Sequence, residues 1–430
     1  MKMKKLFALL MAMIMIFSLT ACGSSSSSDS TDETDSEEVE TIKIGLMVSL
    51  SGSGVQAGEE CQALAEIFED IINNVHEDLS LPFADTEGLP NLGNAKVEFV
   101  IGDISSTEVA QSEAERLITE EGVIGLCGNF SSATTKTAMV AAEKYGVILL
   151  SEGTSATLTD AGYTYYGRSF PGDDVFIEDT FDYLDYLNEY EDAGITTICL
   201  VSEDSEFGTN IAQVEAEVAE AHGYTIVENI SYSATATNLT SEVLKIKEAD
   251  ADVVLCSSYA SDSLLLMSTF KEQNYFPNML FGQRGGFMAS DFIDNLGSDS
   301  DYVFTTSRWN SDMDNDAAQQ IAELFYEATG YTLLGDTLAS VWDGVLIAIM
   351  ANQAGSTDGD AMREVMSEGL DLDVSLDPFA LEGYVYGDDG QNIYGSSIIV
   401  QYYGEELYTV YPLESATFEA IYPALSWDER

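Results

Sequence analysis

The stretch VIGLCGNFSSATTKTAMVAAEKYGVILLSEGTS, residues 123–155, contains two apolar strand patterns separated by one helical pattern. Residues 123–127 and 147–151 are short apolar runs, and residues 133–145 between them have the spacing of a helix. Each apolar run leads into a loop rich in glycine, serine and threonine. A strand, a helix and a second strand in this order predict a βαβ unit with parallel strands.

The same alternation continues on both sides of this unit. Before it, strand patterns at 41–48 and 96–102 are followed by helical patterns at 59–75 and 108–121. A second series follows Phe170, Pro171 and Gly172, with patterns at 175–190, 195–201, 209–221, 225–230, 241–248, 251–256, 261–273 and 279–282. Helices near 314–329 and 336–352 and strands at 384–386, 397–403 and 407–411 complete the chain. Two such series predict an α/β fold with two doubly wound parallel-sheet lobes.

The N-terminus has the pattern of a bacterial lipoprotein signal. Lys2, Lys4 and Lys5 precede an apolar run at 6–19, and small residues lead to Cys22. We expect cleavage of residues 1–21, acylation of Cys22 and anchoring at the extracytoplasmic face of the cell membrane. Residues 22–40 are acidic and serine-rich, which predicts a disordered tether.

The charge composition argues against nucleic acid as a partner, and the cysteine pattern bears on disulfides. The chain has 75 acidic and 16 basic residues and a formal net charge of −59, so we expect no binding to nucleic acid. Beyond Cys22 the cysteines are Cys61, Cys127, Cys199 and Cys256, without a CxxC pair. An exported protein permits disulfides, but three of these residues lie in or beside apolar runs, which favours free core thiols.

Enzyme, cofactor and metal motifs are not evident. The only histidines, His76 and His222, stand outside metal-binding or catalytic motifs, so we expect no enzymatic activity and no metal. Asp312, Asp314, Asp316 and Glu323 match EF-hand positions, but Ala317 replaces the required glycine. The loop at 49–58 lacks the order GxGxxG, so no nucleotide cofactor is expected.

The loops at the ends of the predicted strands are the candidate site. In open parallel sheets, ligands bind beyond the carboxyl ends of the strands, where loops lead into helix N-termini. The loops at 128–135 and 151–160 follow neighbouring strands and are rich in hydroxyl groups. Together they predict a donor-lined cleft that would fit a carboxylate.

Several segments resemble the branched-chain amino-acid-binding (type I periplasmic binding protein) family. They are KIGLMVSLSGSGVQAG (43–58), GLCGNFSSATT (125–135), LLSEGTSATLTDAGYTYYGRSFPGDD (149–174), LVSEDSEFGTNIA (200–212) and LEGYVYGDDGQNIYGSSIIVQYYG (381–404). The resemblance implies two lobes joined by three crossovers, which close over a small solute and deliver it to ABC permease subunits. It also implies lobe 1 at 41–169 with 307–383, lobe 2 at 170–306 with 384–424, and a tail at 425–430.

The resemblance also implies site residues. Ser131, Ser132, Gly153 and Ser155 match positions that hold the carboxylate and ammonium of the ligand. Phe207, before Gly208, and Tyr259 match aromatic positions that cover the ligand, and Gln56 and Trp309 are further candidates for the wall of the site.

Arg284 departs from the family pattern, because family members that bind amino acids usually have an acidic residue at this place. Either Glu152 supplies the missing negative charge, or Arg284 binds a second anionic or carbonyl group of the ligand. A third interpretation makes Arg284 part of an ion pair that closes the lobes.

We therefore expect an amino acid as the ligand, with amides and small carboxylates as alternatives, and no cofactor. The competing hypothesis is a sensor, in which the same lobes present a ligand to a membrane signalling partner.

Overall fold

The computed structural model describes residues 40–51, 54–129 and 131–430. The predicted signal peptide, Cys22 and almost all of the predicted tether lie outside these residues. The elements, in chain order, are β1 (Thr41–Val48), α1 (Val55–Asn73), β2 (Lys96–Asp103), α2 (Thr107–Arg116), β3 (Gly125–Gly128), α3 (Ser132–Tyr145), β4 (Ile148–Leu150), α4 (Ala156–Thr159), β5 (Tyr166–Gly167), α5 (Asp173–Tyr190), β6 (Thr197–Glu203), α6 (Glu206–His222), β7 (Thr225–Tyr232), α7 (Thr240–Ala249), β8 (Val253–Ser257), α8 (Ala260–Glu272), β9 (Leu280–Gly282), α9 (Ser290–Leu296), β10 (Val303–Ser307), α10 (Asp316–Thr329), α11 (Gly335–Ala354), α12 (Gly359–Glu368), β11 (Ile398–Tyr403) and β12 (Glu406–Tyr411).

The described strands form two sheets, which confirms the predicted pair of doubly wound lobes. The first sheet has the order β2-β1-β3-β4-β5, and all of its strands are parallel. The second has the order β12-β11-β10-β9-β8-β6-β7 and is parallel from β10 to β7. The last two strands run antiparallel to their neighbours.

Helices cover both faces of the first sheet, as its apolar strands require. α11 is the most deeply buried of them, because its own side chains are apolar on almost every face. Its Ile347 side chain packs so close to Gly125 of β3 that a Cβ at this glycine would lie 2.7 Å from Cγ2 of Ile347. The position of α11 matters for the site, since its N-terminus reaches the cleft between the lobes.

Two crossovers are hydrogen-bonded to each other and fix the lobes at one side. Arg168 and Gln391 pair through their backbones and side chains, with Arg168 Nε donating to Gln391 Oε1 at 2.5 Å. Asn392 donates to Ser169 O at 3.0 Å. These segments join the first sheet to α5 and join α12 to β11, so they are the natural hinge for a motion between the lobes.

The structure differs from the predicted elements in several places. Residues 384–386 are not a strand: Tyr384 and Tyr386 lie in the apolar cluster of the first lobe, so we place the third crossover after them. The residue limits of the lobes otherwise remain a prediction. Sequence patterns also missed β10, whose Thr305, Thr306 and Ser307 are polar but buried, and the short helix α12.

The described cysteines agree with the prediction of core thiols, since Cys61, Cys127, Cys199 and Cys256 are all buried and free. A search of the described residues for helices with the length and apolar character needed to span a bilayer found none.

Candidate functional site

A cavity of about 280 Å³ lies where loops of the two lobes meet. The first lobe contributes the ends of β1 and β3 and the N-termini of α1 and α11. The second lobe contributes Tyr259 and Ala260 at the start of α8 and the turn from Gly285 to Ser290. Strand ends and helix N-termini therefore surround the cavity, as expected for an open parallel sheet.

Asn129 and Ser131 supply polar groups at the end of β3. Asn129 has φ +70, a left-handed conformation that asparagine tolerates, and its Oδ1 accepts a hydrogen bond of 2.5 Å from Thr134 Oγ1. Its Nδ2 is buried and has no hydrogen-bond partner among the described residues. Ser131 is the N-cap residue of α3, but its side chain makes no capping bond. Both residues line the cavity.

The rest of the lining is partly apolar and carries negative charge. Met47, Ile104 and Met288 supply apolar surface. Asp291 and Asp336 are the acidic residues of the lining, and none of its described residues is lysine, arginine or histidine. The cavity therefore combines hydroxyl and amide groups, aliphatic surface and two carboxylates.

A buried network of ion pairs lies beside this cavity. Arg308 Nη1 lies 2.5 Å from Glu152 Oε2 and 2.6 Å from Asp336 Oδ1, and Arg308 Nη2 donates to Glu152 O at 3.0 Å. Arg284 Nη1 lies 3.7 Å from Asp336 Oδ2, and its Nη2 lies 4.0 Å from Asp173 Oδ1. The network connects the two lobes through paired charges, which is how buried charges are tolerated.

Burial changes the pKa values in this network. It raises the pKa of Glu152 to about 7, against the opposing effect of Arg308. It raises the pKa of Asp343, beside Glu152, well above the usual range, and it also raises that of Asp173. It lowers the pKa of Arg284 to about 10, a change to which the nearby Arg308 contributes. Burial therefore brings the pKa of Glu152 into the neutral range.

Three of the residues predicted for the site line the cavity: Gln56, Ser131 and Tyr259. Phe207 packs against Tyr259, with ring centroids 5.2 Å apart, and so supports the wall from behind. Trp309 is fully buried in the core of the first lobe.

The residues predicted after β3 and β4 lie close together but outside the lining of the cavity. Ser155 N donates to Ser132 Oγ at 3.3 Å, and Ser155 caps α4 through Thr157 N. Gly153 is packed so closely that a Cβ would lie 2.6 Å from Leu158 Cδ1. A direct role of these residues in ligand binding remains a prediction, as it does for Glu152 and Arg284.

Sequence analysis missed Asn129, Asp336 and Arg308. Asn129 stands in the loop after β3, where a polar residue at a strand end is a signal that could have selected it. Asp336 and Arg308 gave no such signal, because their proximity depends on how α11 packs and on β10, which the sequence patterns did not predict.

Other contacts hold the two lobes together around the cavity. Glu206 at the start of α6 accepts hydrogen bonds from Lys136 at 3.0 Å and Thr157 at 2.7 Å. At the other side of the cavity, Ser290 Oγ donates to the buried Glu60 Oε2 at 2.7 Å. The described conformation is therefore one in which the lobes are closed on each other.

Comparisons with known proteins agree with this geometry. The family model described as periplasmic binding protein matches residues 41–401. The Leu/Ile/Val-binding protein homolog 7 of Brucella suis is 28% identical over 392 residues, which cover 89% of this chain and 94% of that protein. Homolog 8 of Brucella melitensis is 28% identical over 386 residues, covering 87% and 91%.

Solved structures share the fold at low sequence identity. The branched-chain amino acid transporter substrate binding protein LivJ of Streptococcus pneumoniae, in complex with isoleucine, has a TM-score of 0.71 and 19% identity, covering 86% of this chain and 98% of that one. A solute binding protein of an ABC transporter from Rhodopseudomonas palustris, in complex with 3,4-dihydroxybenzoic acid, has a TM-score of 0.72 and 16% identity, covering 91% and 99%. With two parallel-sheet lobes around a cleft, this chain belongs to the branched-chain amino-acid-binding, type I periplasmic binding protein family, whose members are solute-binding proteins of the ABC-transporter type.

Proposed function

We propose that this protein is a lipid-anchored, extracytoplasmic solute-binding protein that captures an amino acid with a branched aliphatic side chain and delivers it to an ABC importer. The observation that carries the proposal is the cavity between the lobes, with hydroxyl and amide groups, aliphatic surface and carboxylates in one lining. An α-amino acid needs all three kinds of surface, because it has a carboxylate, a side chain and an ammonium.

The size of the cavity favours a small ligand. Pockets for small molecules typically have volumes of about 300–1,000 Å³. A cavity of about 280 Å³ lies just below that range, which suits a single amino acid better than a peptide or a nucleotide.

The carboxylate of the ligand would bind at helix N-termini. The first residues of α1, α3, α8 and α11 all approach the cavity, and helix N-termini offer free N–H groups and the positive end of the helix dipole. Asn129 and Ser131 add side-chain groups at the same place. Met47, Ile104 and Met288 would then contact an aliphatic side chain, which agrees with the names of the Brucella relatives.

Capture would use closure of the lobes. A ligand must bind the closed form with a preference of about 5.5 kcal/mol to change its population from 1:99 to 99:1. The contacts of Glu206 with Lys136 and Thr157 and of Ser290 with Glu60 cross between the lobes and would form on closure. Such ligand-dependent closure would give the importer a way to distinguish loaded protein from empty protein.

Thermal unfolding with a panel of solutes tests the choice of ligand. Leucine, isoleucine and valine should raise Tm most. A ligand that binds only the folded state stabilises it, by about 2.7 kcal/mol at 100 times its Kd. The panel should include glutamine, leucinamide, 4-methylpentanoate and 3,4-dihydroxybenzoate. A rise in Tm with the aromatic acid but with none of the amino acids would contradict the proposal.

Fractionation of cells tests the anchor. The wild-type protein should be in the membrane fraction and should incorporate labelled palmitate. Cys22→Ser should lose the label and leave the membrane fraction, since acyl chains on Cys22 would provide the attachment. Cys61→Ser is the matched control, because Cys61 is a buried core thiol and its replacement should leave labelling unchanged. Equal labelling of the wild type and Cys22→Ser would exclude the anchor.

A further inference from the structure

The two carboxylates in the lining of the cavity are both partly buried but have different surroundings. Asp291, at the start of α9, lines both the cavity and a neighbouring surface depression that contains Thr329 and Tyr331. Asp291 therefore lies at the rim. The side chain of Asp336, in the first turn of α11, is 18% exposed and is joined to the buried ion pairs. Because solvent screens the charge at the rim, the charge of Asp336 acts more strongly on a bound ligand.

The two oxygens of Asp336 have different partners. Oδ1 accepts a hydrogen bond from Arg308 Nη1 at 2.6 Å, which fixes the orientation of the carboxylate. Oδ2 accepts no hydrogen bond among the described residues, and Arg284 Nη1, at 3.7 Å, is beyond hydrogen-bonding distance. One oxygen is therefore held in place, and the other keeps its capacity to accept a hydrogen bond from a ligand.

The two neighbouring arginines leave Oδ2 of Asp336 able to accept a hydrogen bond, because each arginine also faces another carboxylate. Arg308 is paired with Glu152 at 2.5 Å, and Arg284 faces Asp173 at 4.0 Å. Both guanidinium groups are almost completely buried and neither belongs to the lining of the cavity. Asp336 is the member of this network that reaches the cavity, so a ligand there meets a negative charge.

We infer that Asp336, oriented by Arg308, is the residue that binds the ammonium of the ligand and selects α-amino acids over carboxylates that lack an amine. The inference rests on the proposed function. The acidic partner of the ammonium would then lie at the N-terminus of α11 in the first lobe. It would not lie in the loop after β9 of the second lobe, where this chain has Arg284.

Calorimetric titration with L-leucine and with 4-methylpentanoate, which lacks the ammonium, tests this assignment. The wild type should prefer leucine. Asp336→Asn should lower the affinity for leucine at least tenfold and that for 4-methylpentanoate less than threefold, because only leucine loses an ionic contact. Asp316→Asn, at an exposed position at the start of α10 and outside the lining of the cavity, is the matched control and should change both affinities less than threefold.

Proton exchange in the wild type gives a second measurement, which does not depend on the folding of a variant. Glu152 shares Arg308 with Asp336 and has a pKa raised to about 7 by burial. Arg284 and Asp343 also face it, and burial keeps the nearby groups of Cys61, Cys127, Tyr166 and Tyr386 neutral at this pH by raising their pKa values. An ammonium beside Asp336 favours ionised Glu152, so leucine should release protons at pH 7, whereas 4-methylpentanoate should release none. Titrations in buffers of different ionisation enthalpy measure this difference.

The outcomes separate the inference from the proposed function. If the wild type binds leucine but Asp336→Asn weakens both ligands equally, or if both ligands exchange the same number of protons, Asp336 is not the partner of the ammonium. If the wild type binds no leucine, both the proposed function and the inference fail.

Discussion

Glu215 is a buried acidic residue that makes the stability of the fold depend on pH. Its side chain lies on the face of α6 that is packed against the second sheet, and burial raises its pKa to about 8. An unfolded chain would release this proton near the ordinary pKa of 4.5. Between these values the unfolded state loses a proton that the folded state keeps, so the stability contributed by this group decreases as pH rises.

Replacing Glu215 by glutamine should remove this dependence. At pH 5 we expect Glu215→Gln and the wild type to differ by less than about 1 kcal/mol. The variant should gain up to about 1.4 kcal/mol over the wild type for each pH unit above that, until about pH 8. Urea unfolding from pH 5 to pH 8 measures the difference. Glu220→Gln, at an exposed position of the same helix, is the control, and parallel pH profiles for all three proteins would contradict the argument.

At the scale of residues, sequence predicted the site only where chain position determines it. Ser131 and Gln56 follow strands of one sheet, and the rule for carboxyl ends places such residues at the cleft. Ser155 obeys the same rule, yet its side chain caps α4 instead of lining the cavity. Asp336 obeys no such rule, because it reaches the cavity through the packing of α11 against α1 and β3.

The third crossover is held by short backbone bridges and by one buried side chain. The buried amide of Asn392 donates to Ser169 O at 3.0 Å and to Gly383 O at 3.1 Å. It also accepts from Val385 N at 3.0 Å and from Tyr394 N at 3.3 Å. One side chain thus satisfies four backbone groups in and beside the two crossovers.

Replacing Asn392 by alanine should therefore be costly. We expect a loss of about 2–4 kcal/mol in the free energy of unfolding, because buried backbone groups would lose their partners. Urea unfolding measures this loss. Ile393→Ala is the matched control in the same segment, since Ile393 is 62% exposed and should cost less than about 0.5 kcal/mol. Equal effects of the two substitutions would show that the crossover does not depend on this amide.

At the scale of elements, sequence predicted helices and strands wherever one face or both faces are apolar. α1 has apolar residues on one face, and β8 is apolar from Val253 to Cys256. β10 was not predicted, because its buried Thr305, Thr306 and Ser307 are polar residues of the kind found in loops. Residues 384–386 resembled a strand because their aromatic side chains alternate, but both tyrosines are buried in the first lobe by tertiary packing.

At the scale of the whole molecule, closure depends on charged groups that meet across the cleft. Arg284, from the second lobe, donates to Thr154 Oγ1 at 3.0 Å and faces Asp336 of the first lobe at 3.7 Å. Its guanidinium also lies 4.3 Å from the ring centroid of Phe176. The contacts with Thr154 and Asp336 exist only when the lobes are together, whereas Phe176 belongs to the same lobe as Arg284. Arg284 therefore stabilises the closed form through its contacts with Thr154 and Asp336.

Arg284→Ala should therefore weaken binding without changing selectivity. The apparent Kd varies inversely with the fraction of protein that can close, so the affinities for leucine and 4-methylpentanoate should fall by the same factor, at least tenfold. This equal loss distinguishes Arg284 from Asp336, whose replacement should weaken the binding of leucine much more than that of 4-methylpentanoate. Calorimetric titration measures both affinities. Lys136→Ala removes a more exposed contact between the lobes and should change each affinity less than fivefold.

Two results would contradict this role of Arg284. Unchanged affinities would mean that closure does not depend on it. A loss confined to one of the two ligands would mean that Arg284 contacts the ligand itself, which is the alternative that the sequence left open. Small-angle scattering with saturating leucine adds a structural criterion, because the variant should still reach the radius of gyration of the liganded wild type. If it stays extended at saturation, Arg284 is required for the closed shape itself and not only for its population.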